Sequence, residues 1–433
     1  MFSLKDFFNF LKASPSAAHA GEEVAKRLSG EGYKQLEENA IWHLDPGGKY
    51  YVMRGFSAVI AFRVPEDPVG AMLVASHSDS PTFHINPDPE NKVVGAYTRL
   101  SVEKYGGMLC ASWMDRPLSV AGTITVRTEK GIESRTVKVD RDLLVIPSVA
   151  IHMNRNANDG ATYNPAVDMQ PLFGDGRHDK GALLAIVAEA AGVTPEQIVG
   201  YDLGLYNRQE GVVLGGANEL ICAPRLDDLG CVYTSLVAFL TADESKMVPV
   251  FALFDNEEVG SASRNGADST FLTDVLARIL DGIDICDEGA RAFLANSFLV
   301  SADNAHARHP NHPELADPLH APIIGGGVVI KYNANRRYVT DSTSSAVFEE
   351  ICRRAGVATQ SYCNRADMPG GSTLGSISET HLSVHAVDIG LPQLAMHAAT
   401  ETAGATDMDE MVKALRAFYS TNLNITNTAI EIV

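Results

Sequence analysis

The sequence predicts an α/β fold in which a sheet is flanked by helices and the chain is interrupted by a β-rich insert. At both ends of the chain, apolar strand-like runs alternate with amphipathic helical stretches, as where "MVPVFALF" (247–254) follows "DLGCVYTSLVAFLTA" (228–242). Strands that are apolar almost throughout are typical of a sheet buried on both faces. The middle of the chain instead contains short β-rich pieces such as "LSVAGTITVRT" (118–128).

The elements follow in chain order from periodicity and capping signals. Helices are predicted as a pair within 1–40, with Ser16 as N-cap of the second, and at 180–192, 228–242, 269–283, 343–356 and 407–420. Strands are predicted within 50–64 and 70–80, and at 118–128, 135–148, 247–254, 297–303 and 382–390. We predict that 1–89 and 223–433 form one α/β domain and that 90–222 is the insert.

Composition excludes several classes of protein. The 433 residues are 45% hydrophobic and 21% charged, which is enough apolar surface for more than one domain. A formal net charge of −19 argues against nucleic acid or an anionic membrane as the main partner. No apolar run is long enough to span a bilayer, and six scattered cysteines without a C-x-x-C pair favour a reducing compartment. We expect a cytoplasmic protein that binds neither nucleic acid nor membrane.

Polar side chains collect where the predicted strands end. Functional residues of open α/β sheets lie beyond the carboxyl ends of the strands. The candidates at such positions, together with an acidic pair at a helix start, are His77, Asp79, Asp227, Asp228, Asp255, Glu257, Glu258, Asp303 and His397.

Each candidate also has a simpler explanation. Asp227 or Asp228 alone would be a helix N-cap, His77 a hydrogen-bonded histidine, and Asp303 a turn residue at a strand end. The adjacent Glu257 and Glu258 alone would be a solvated surface pair. Together, however, these groups would repel or desolvate one another unless a cation lay among them.

Imidazole and carboxylate are zinc ligands, and one carboxylate can bridge two metal ions. The sequence therefore favours Glu258 as a metal ligand, with its neighbour Glu257 placed to act as general base. Asp79, two residues after His77, would reach the second imidazole nitrogen and fix its tautomer.

At these residues the chain resembles the aspartyl aminopeptidase family of dinuclear zinc exopeptidases. The matching motifs, in the order of the family, are "SPSAAHA", "SHSDSP", "HMNRN", "PRLDDL", "FDNEEVGS", "SADNAHARHPN", "IKYNANRRY" and "DIGLPQLAMH". The resemblance covers nearly the whole chain. It implies a mixed sheet of the zinc exopeptidase type, split by a β-rich dimerisation domain.

The resemblance also implies roles for individual residues. It assigns His77, Asp227 and Asp303 to one zinc ion, and Asp227, Glu258 and His397 to a second, so that Asp227 bridges the two. Cobalt or manganese would also suit such ligands. The same resemblance makes Glu257 the general base and Asp79 the residue that orients His77.

Three further residues are implied to act on the substrate. Lys331 and Tyr338 match positions that contact it, and His152 in the insert matches a histidine that reaches the active site of a neighbouring subunit. Members of the family typically build tetrahedral dodecamers from dimers. The implied activity is removal of N-terminal residues, acidic ones (Asp or Glu) in this family, from peptides with a free N-terminus.

Alternatives remain open at this point. Acidic specificity depends on the loop 367–376, whose glycines suit either a bound peptide or an ordinary loop. The chain could also be a non-catalytic shell or cargo-binding protein, or a metal-dependent amidase acting on small acylated amines. Other histidines have simpler explanations, because "AHARHPNH" (305–312) predicts a loop and "HLSVH" (381–385) the entry to a strand.

Overall fold

A nine-stranded mixed sheet forms the centre of the computed structural model, which describes residues 2–368 and 370–433. The helices are α1 (Leu4–Ala13), α2 (Ala17–Gly30), α3 (Pro165–Asp168), α4 (Ala182–Ala191), α5 (Leu226–Thr241), α6 (Phe271–Gly282), α7 (Asp287–Ala295), α8 (Ser342–Ala355), α9 (Leu374–Leu382) and α10 (Ala405–Tyr419). The strands are β1 (Lys34–Leu36), β2 (Lys49–Arg54), β3 (Ala58–Arg63), β4 (Gly70–His77), β5 (Thr82–Val93), β6 (Tyr97–Tyr105), β7 (Leu118–Thr128), β8 (Gly131–Lys138), β9 (Leu172–Gly174), β10 (Ile198–Asn207), β11 (Val212–Leu214), β12 (Leu220–Ala223), β13 (Met247–Phe254), β14 (Phe298–Ala302), β15 (Ala305–His306), β16 (Val328–Tyr332), β17 (Thr359–Cys363), β18 (His385–Gly390), β19 (Pro392–Leu394), β20 (Glu401–Gly404), β21 (Leu423–Ile425) and β22 (Ile430–Ile432).

The order of strands in the central sheet is β1-β2-β3-β13-β4-β14-β18-β16-β17. Its middle four strands, β13, β4, β14 and β18, are all parallel, so their carboxyl ends meet at one edge. The outer pairs β2 with β3, β3 with β13, and β16 with β18 are antiparallel. Consecutive parallel neighbours therefore bring residues from distant parts of the chain to the same place.

Helices cover both faces of this sheet, as its apolar strands require. In β4, Met72 and Val74 pack with α1, α2, α5, α8 and α10, whereas Leu73 and Ala75 pack with α6, α7 and α9. All eight residues of β4 and all eight of β13 are buried. Burial on both faces explains why these strands lack the alternation of a half-exposed strand.

The β-rich middle of the chain forms a second, six-stranded sheet in the order β8-β7-β10-β5-β6-β9. Its pairs are antiparallel, and it has its own core, which includes Phe83, Trp113 and Leu118 and against which α4 packs. A five-stranded sheet, β11-β12-β20-β19-β15, lies beside the start of α5. The second sheet thus spans Thr82 to Asn207, while β11 pairs with β12, and β12 pairs with β20 near the end of the chain.

The predicted α/β class, a mixed sheet flanked by helices, is confirmed. The division into 1–89, 90–222 and 223–433 stays a prediction. Ser16 precedes α2, but its hydroxyl contacts His19 and makes no capping hydrogen bond. No helix in the described ranges combines the length and hydropathy that a bilayer crossing needs.

Several predicted boundaries were wrong. The strand predicted at 135–148 ends at Lys138, beyond which Leu144 and Val145 form only isolated bridges. The strand predicted at 382–390 begins at His385, because α9 occupies the residues before it. Helix α9 also takes the last three residues of the loop predicted at 367–376, in which residue 369 lies outside the described residues.

Candidate metal centre

The carboxyl ends of the parallel strands carry most of the predicted site. His77 is the last residue of β4, Asp303 directly follows β14, and Glu257 and Glu258 lie in a 3-10 turn after β13. His397 lies in the turn that joins β19 to β20 and has a φ of 66°. These elements are neighbours in the fold although their residues span more than 300 positions of the sequence.

Asp227, in the first turn of α5, lies between the two histidines. Its Oδ1 is 3.4 Å from Nε2 of His77, and its Oδ2 is 3.8 Å from Nε2 of His397. Nε2 of His77 is also 3.9 Å from Oδ1 of Asp303, and Nε2 of His397 is 3.3 Å from Oε2 of Glu258. The structure therefore brings all five predicted metal ligands together, with the two oxygens of one carboxylate facing different imidazoles.

These residues fit a metal ion. Oδ1 of Asp227 and Oε1 of Glu258 are buried and accept no hydrogen bond from the described residues. Burial, reinforced by the charge of Asp227, raises the pKa of Glu258 well above its usual range. Burial also raises the pKa of Glu257, to about 8. Buried, unpartnered carboxylates beside two imidazoles are the donor set that zinc prefers, and a cation would relieve their repulsion.

The structure does not support the interpretation of Asp227 or Asp228 as a helix N-cap. Neither Asp227 nor Asp228 makes a capping hydrogen bond, and both have non-helical φ and ψ values at the start of α5. Asp228 is fully buried and its Oδ2 accepts a hydrogen bond from the backbone N–H of His77, at 3.2 Å. Asp228 therefore joins the start of α5 to the end of β4.

Asp79 contacts both His77 and the turn that carries Glu257 and Glu258. Its backbone carbonyl oxygen is the hydrogen-bond partner of Nδ1 of His77, at 3.1 Å, and Oδ1 of its carboxylate lies 3.3 Å from the same nitrogen. Either contact would fix the tautomer of His77. The same carboxylate accepts hydrogen bonds from the backbone N–H groups of Glu257 and Glu258, at 3.1 and 3.2 Å. Asp79 thus also holds the turn that carries both glutamates, a contact that sequence reasoning missed.

Glu401, at the start of β20, is a buried residue that the sequence analysis did not single out. Its carboxylate accepts hydrogen bonds from the backbone N–H of Asp227 at 2.9 Å and from that of His397 at 2.7 Å. One side chain therefore ties together the backbones of two candidate ligands. A lone glutamate four residues after His397 was the only signal available in the sequence.

Replacing Glu401 with Gln is expected to destabilise the protein by about 1–3 kcal/mol, the cost of leaving a buried donor without an acceptor. A neutral amide presents its NH2 group to one of the two backbone N–H groups that the carboxylate now satisfies. Urea denaturation would measure the loss. Glu288→Gln, at a side chain that is 92% exposed, is the matched control, and equal midpoints for both variants would contradict the prediction.

A small pocket of about 130 Å³ opens onto the five candidate ligands and Glu257. Lys331, in β16, and Tyr338 line its wall, and both are buried. The Nζ of Lys331 is 3.5 Å from Oδ2 of Asp303. Residues 371–373, in the described part of the predicted loop, also line the pocket.

The remaining histidines are placed differently. His152 lies exposed in a turn of the middle segment and does not line this pocket within the single chain. His306 lies in the short strand β15, not in the predicted loop, and lines the pocket. His312 is paired with Glu314 on the surface, and His381 is in the last turn of α9 instead of a strand entry.

Removal of bound metal with a chelator is expected to lower the melting temperature, and added zinc to restore it. At a zinc concentration about a thousand times the Kd, binding adds about 4 kcal/mol to the free energy of unfolding. Differential scanning calorimetry would measure the shift. Magnesium should not replace zinc, because it prefers an octahedron of oxygen ligands. Identical melting with and without zinc would contradict the site.

Comparisons with known proteins agree with this geometry. Residues 10–419 match the family model described as "Aminopeptidase I zinc metalloprotease (M18)". A "Probable M18 family aminopeptidase 2" of Clostridium acetobutylicum is 42% identical over 424 residues, covering 96% of this chain and 98% of the relative. The chain in the "Cryo-EM structure of the Ape4 and Nbr1 complex" is 33% identical, with a TM-score of 0.92 and coverage of 96% of this chain and 85% of that one. The "S. cerevesiae mApe1 dodecamer" is 27% identical, with a TM-score of 0.83 and coverage of 96% and 95%. The chain belongs to the M18 family of zinc-dependent aminopeptidases.

Proposed function

We propose that this metal-dependent aminopeptidase removes acidic N-terminal residues from peptides, using two zinc ions and Glu257 as general base. The observation that carries the proposal is the convergence of two imidazoles and three carboxylates with metal-ligand geometry on one pocket, beside a further, half-buried glutamate. One ion would be held by His77, Asp227 and Asp303, and the other by Asp227, Glu258 and His397. The two oxygens of Asp227 face the two histidines, which supports its role as the bridge.

When bound, the zinc ions supply positive charge that polarises a peptide carbonyl and lowers the pKa of water. Glu257 accepts the proton from the attacking water and returns it to the leaving amine. Its position supports this role, because its side chain lines the pocket while its backbone N–H is held by Asp79. Asp79 would keep Nε2 of His77 free for the metal by engaging Nδ1.

Charge in the pocket supports an acidic substrate. Lys331 places a buried ammonium in the pocket, and the carboxylates around it raise its pKa against the effect of burial. Metal ions bound to Asp303 and Asp227 would offset the charge of these carboxylates and leave the ammonium available to a substrate. A substrate carboxylate beside Lys331, with Tyr338 in contact, would satisfy that charge.

Assembly would complete the site. We infer that the segment 90–222 is the dimerisation unit and that His152 enters the pocket of a neighbouring subunit, where it would bind substrate and stabilise the oxyanion. A homo-oligomer built from dimers, such as the dodecamer of S. cerevesiae mApe1, agrees with the exposure of His152 in the single chain. We also propose a cytoplasmic location, with which six scattered cysteines without a C-x-x-C pair agree. The net charge of −19 agrees with peptide, instead of nucleic acid, as partner.

Metal analysis combined with a panel of fluorogenic amino-acid amides tests the proposal. We expect two zinc ions per chain and a higher kcat/KM for Asp and Glu amides than for Ala and Leu amides. One ion per chain would remove the bridging role of Asp227. Preference for apolar amides would refute the acidic specificity, and turnover of acylated amines alone would favour the amidase alternative.

A further inference from the structure

We propose that the segment Tyr105–Ser112, which leaves the second sheet after β6, is a positioning element of the metal centre in its own subunit. Tyr105 acts through Asp79, and Gly106 acts by leaving room for Glu258. The inference uses the ligand set of the proposed function, but it concerns metal affinity and not the substrate. It adds to the second sheet a role that is separate from the action of His152 on a neighbouring subunit.

Tyr105 connects the second sheet to the carboxylate of Asp79, which holds the turn that carries Glu257 and Glu258. Its hydroxyl donates a hydrogen bond to Oδ2 of Asp79 at 2.6 Å and accepts one from Nδ2 of Asn256 at 2.9 Å. The ring is stacked on that of His84, with centroids 4.8 Å apart and planes 5° from parallel. Burial raises the pKa of Tyr105, so the phenol stays a proton donor.

The hydroxyl of Tyr105 therefore holds Oδ2 of Asp79, whereas His77 faces Oδ1 of the same carboxylate. Asp79 in turn contacts Nδ1 of His77 and accepts the N–H groups of Glu257 and Glu258. A chain of direct contacts thus runs from β6 to ligands of both proposed ions. Residues that contact the metal ligands, but not the metal ion itself, orient those ligands and tune the affinity for the metal.

Gly106 lets the chain pass close to a metal ligand. Its φ is +73°, and a Cβ at this position would lie 3.1 Å from Cβ of Glu258 and 3.5 Å from its Oε2. Any side chain would therefore push Glu258 by a few tenths of an ångström. Glycine is required here both for the positive φ and for the close approach of the backbone to Glu258.

The same segment also holds the turn that carries His397. The backbone N–H of Leu109 donates to the carbonyl oxygen of His397 at 3.1 Å. The Oγ of Ser112 accepts a hydrogen bond from the N–H of Ala399 at 2.8 Å. Glu258 and His397 are the two ligands that only the second ion would use. Both are thus positioned through contacts with the segment Tyr105–Ser112.

The test measures zinc affinity of the full-length protein by competition with a chromogenic chelator. Tyr105→Phe removes only the hydroxyl, and its control is Tyr97→Phe, the same change at a half-exposed tyrosine of β6. Gly106→Ala adds a methyl group against Glu258. Its control is Gly95→Ala, which has a similar φ of +68° but has no atom within 4 Å of the new Cβ.

We expect Tyr105→Phe and Gly106→Ala to bind the weaker zinc ion about 10- to 100-fold less tightly than their controls. The zinc-free variants should keep the wild-type circular dichroism spectrum, and excess zinc should restore full occupancy. Affinities equal to those of the controls would overturn the inference. If Gly106→Ala does not fold, Tyr105→Phe decides the outcome alone. Because no substrate is present, the result does not depend on which peptides are cleaved.

Discussion

Replacing Glu257 with Gln is expected to lower kcat for peptide hydrolysis by about a hundred- to ten-thousand-fold, the contribution of a positioned general base. The amide has nearly the shape of the carboxylate but cannot accept a proton. Its backbone N–H would still bond to Asp79, so the turn should keep its place. Steady-state kinetics with an Asp amide, together with metal analysis of the same preparation, would test the expectation.

The neighbouring glutamate provides a matched comparison. Glu258→Gln changes the candidate ligand whose Oε2 is 3.3 Å from Nε2 of His397, and it should lower metal content as well as turnover. Glu257→Gln should lower turnover alone, while Glu288→Gln on the surface should change neither. Near-wild-type activity of Glu257→Gln would remove this residue from the role of base. Loss of metal from the Glu257→Gln variant would instead indicate that Glu257 is a metal ligand.

Replacing His152 with Ala is expected to abolish most activity without changing the fold or the zinc content of the subunit. The side chain is exposed in the single chain and outside the pocket that holds the candidate ligands. We therefore expect it to contribute to catalysis by reaching the site of another subunit. Kinetics, analytical ultracentrifugation and metal analysis of the variant would check the three parts of this expectation.

Mixing two inactive variants gives a sharper test of the same idea. A His152→Ala subunit keeps Glu257, and a Glu257→Gln subunit keeps His152. If the histidine acts across the interface, dissociating and reassembling the two together should restore part of the activity. No recovery in confirmed mixed oligomers, or a fully active His152→Ala enzyme, would contradict the shared site. His312→Ala, at another exposed histidine, is the control.

Point substitution is a cleaner experiment here than removal of residues 95–220. That deletion would remove Tyr105 and Gly106 together with His152, and so would disturb the metal ligands through Asp79 and Glu258. It should still yield a smaller and inactive protein. Its inactivity, however, would not separate loss of a partner's histidine from loss of zinc in the same subunit.

The strands that position the site were predictable because their signal is local and strong. Strand β13, which precedes Glu257 and Glu258, has the predicted bounds 247–254, as does β7 of the second sheet, 118–128. A run of eight buried apolar residues that stops at polar ones indicates both a strand and its end. His77, Glu258 and Asp303 stand at or just after such ends. Asp227, at a helix start, and His397, in a turn between two short strands, were assigned as ligands through the family resemblance.

Elements whose sequence signal is weak were missed. Helix α9 has the sequence "LGSISETHL", in which serine, threonine and glycine disfavour a helix in isolation. Its position is decided by packing, because Gly375 lies so close to Asp388 and Ser301 that a Cβ would be 2.7–2.8 Å from them. Helix α7, with a single buried residue, Phe293, was missed for a similar reason.

By itself, the sequence determined the alternation of helices and strands, the family, and the residue types gathered at the strand ends. These follow from periodicity and from short motifs, which neighbouring residues encode together. Only the tertiary structure decided that Glu401 joins Asp227 to His397 and that Tyr105 reaches Asp79. Such contacts join residues that no periodicity relates, and their distances depend on how the two large sheets pack.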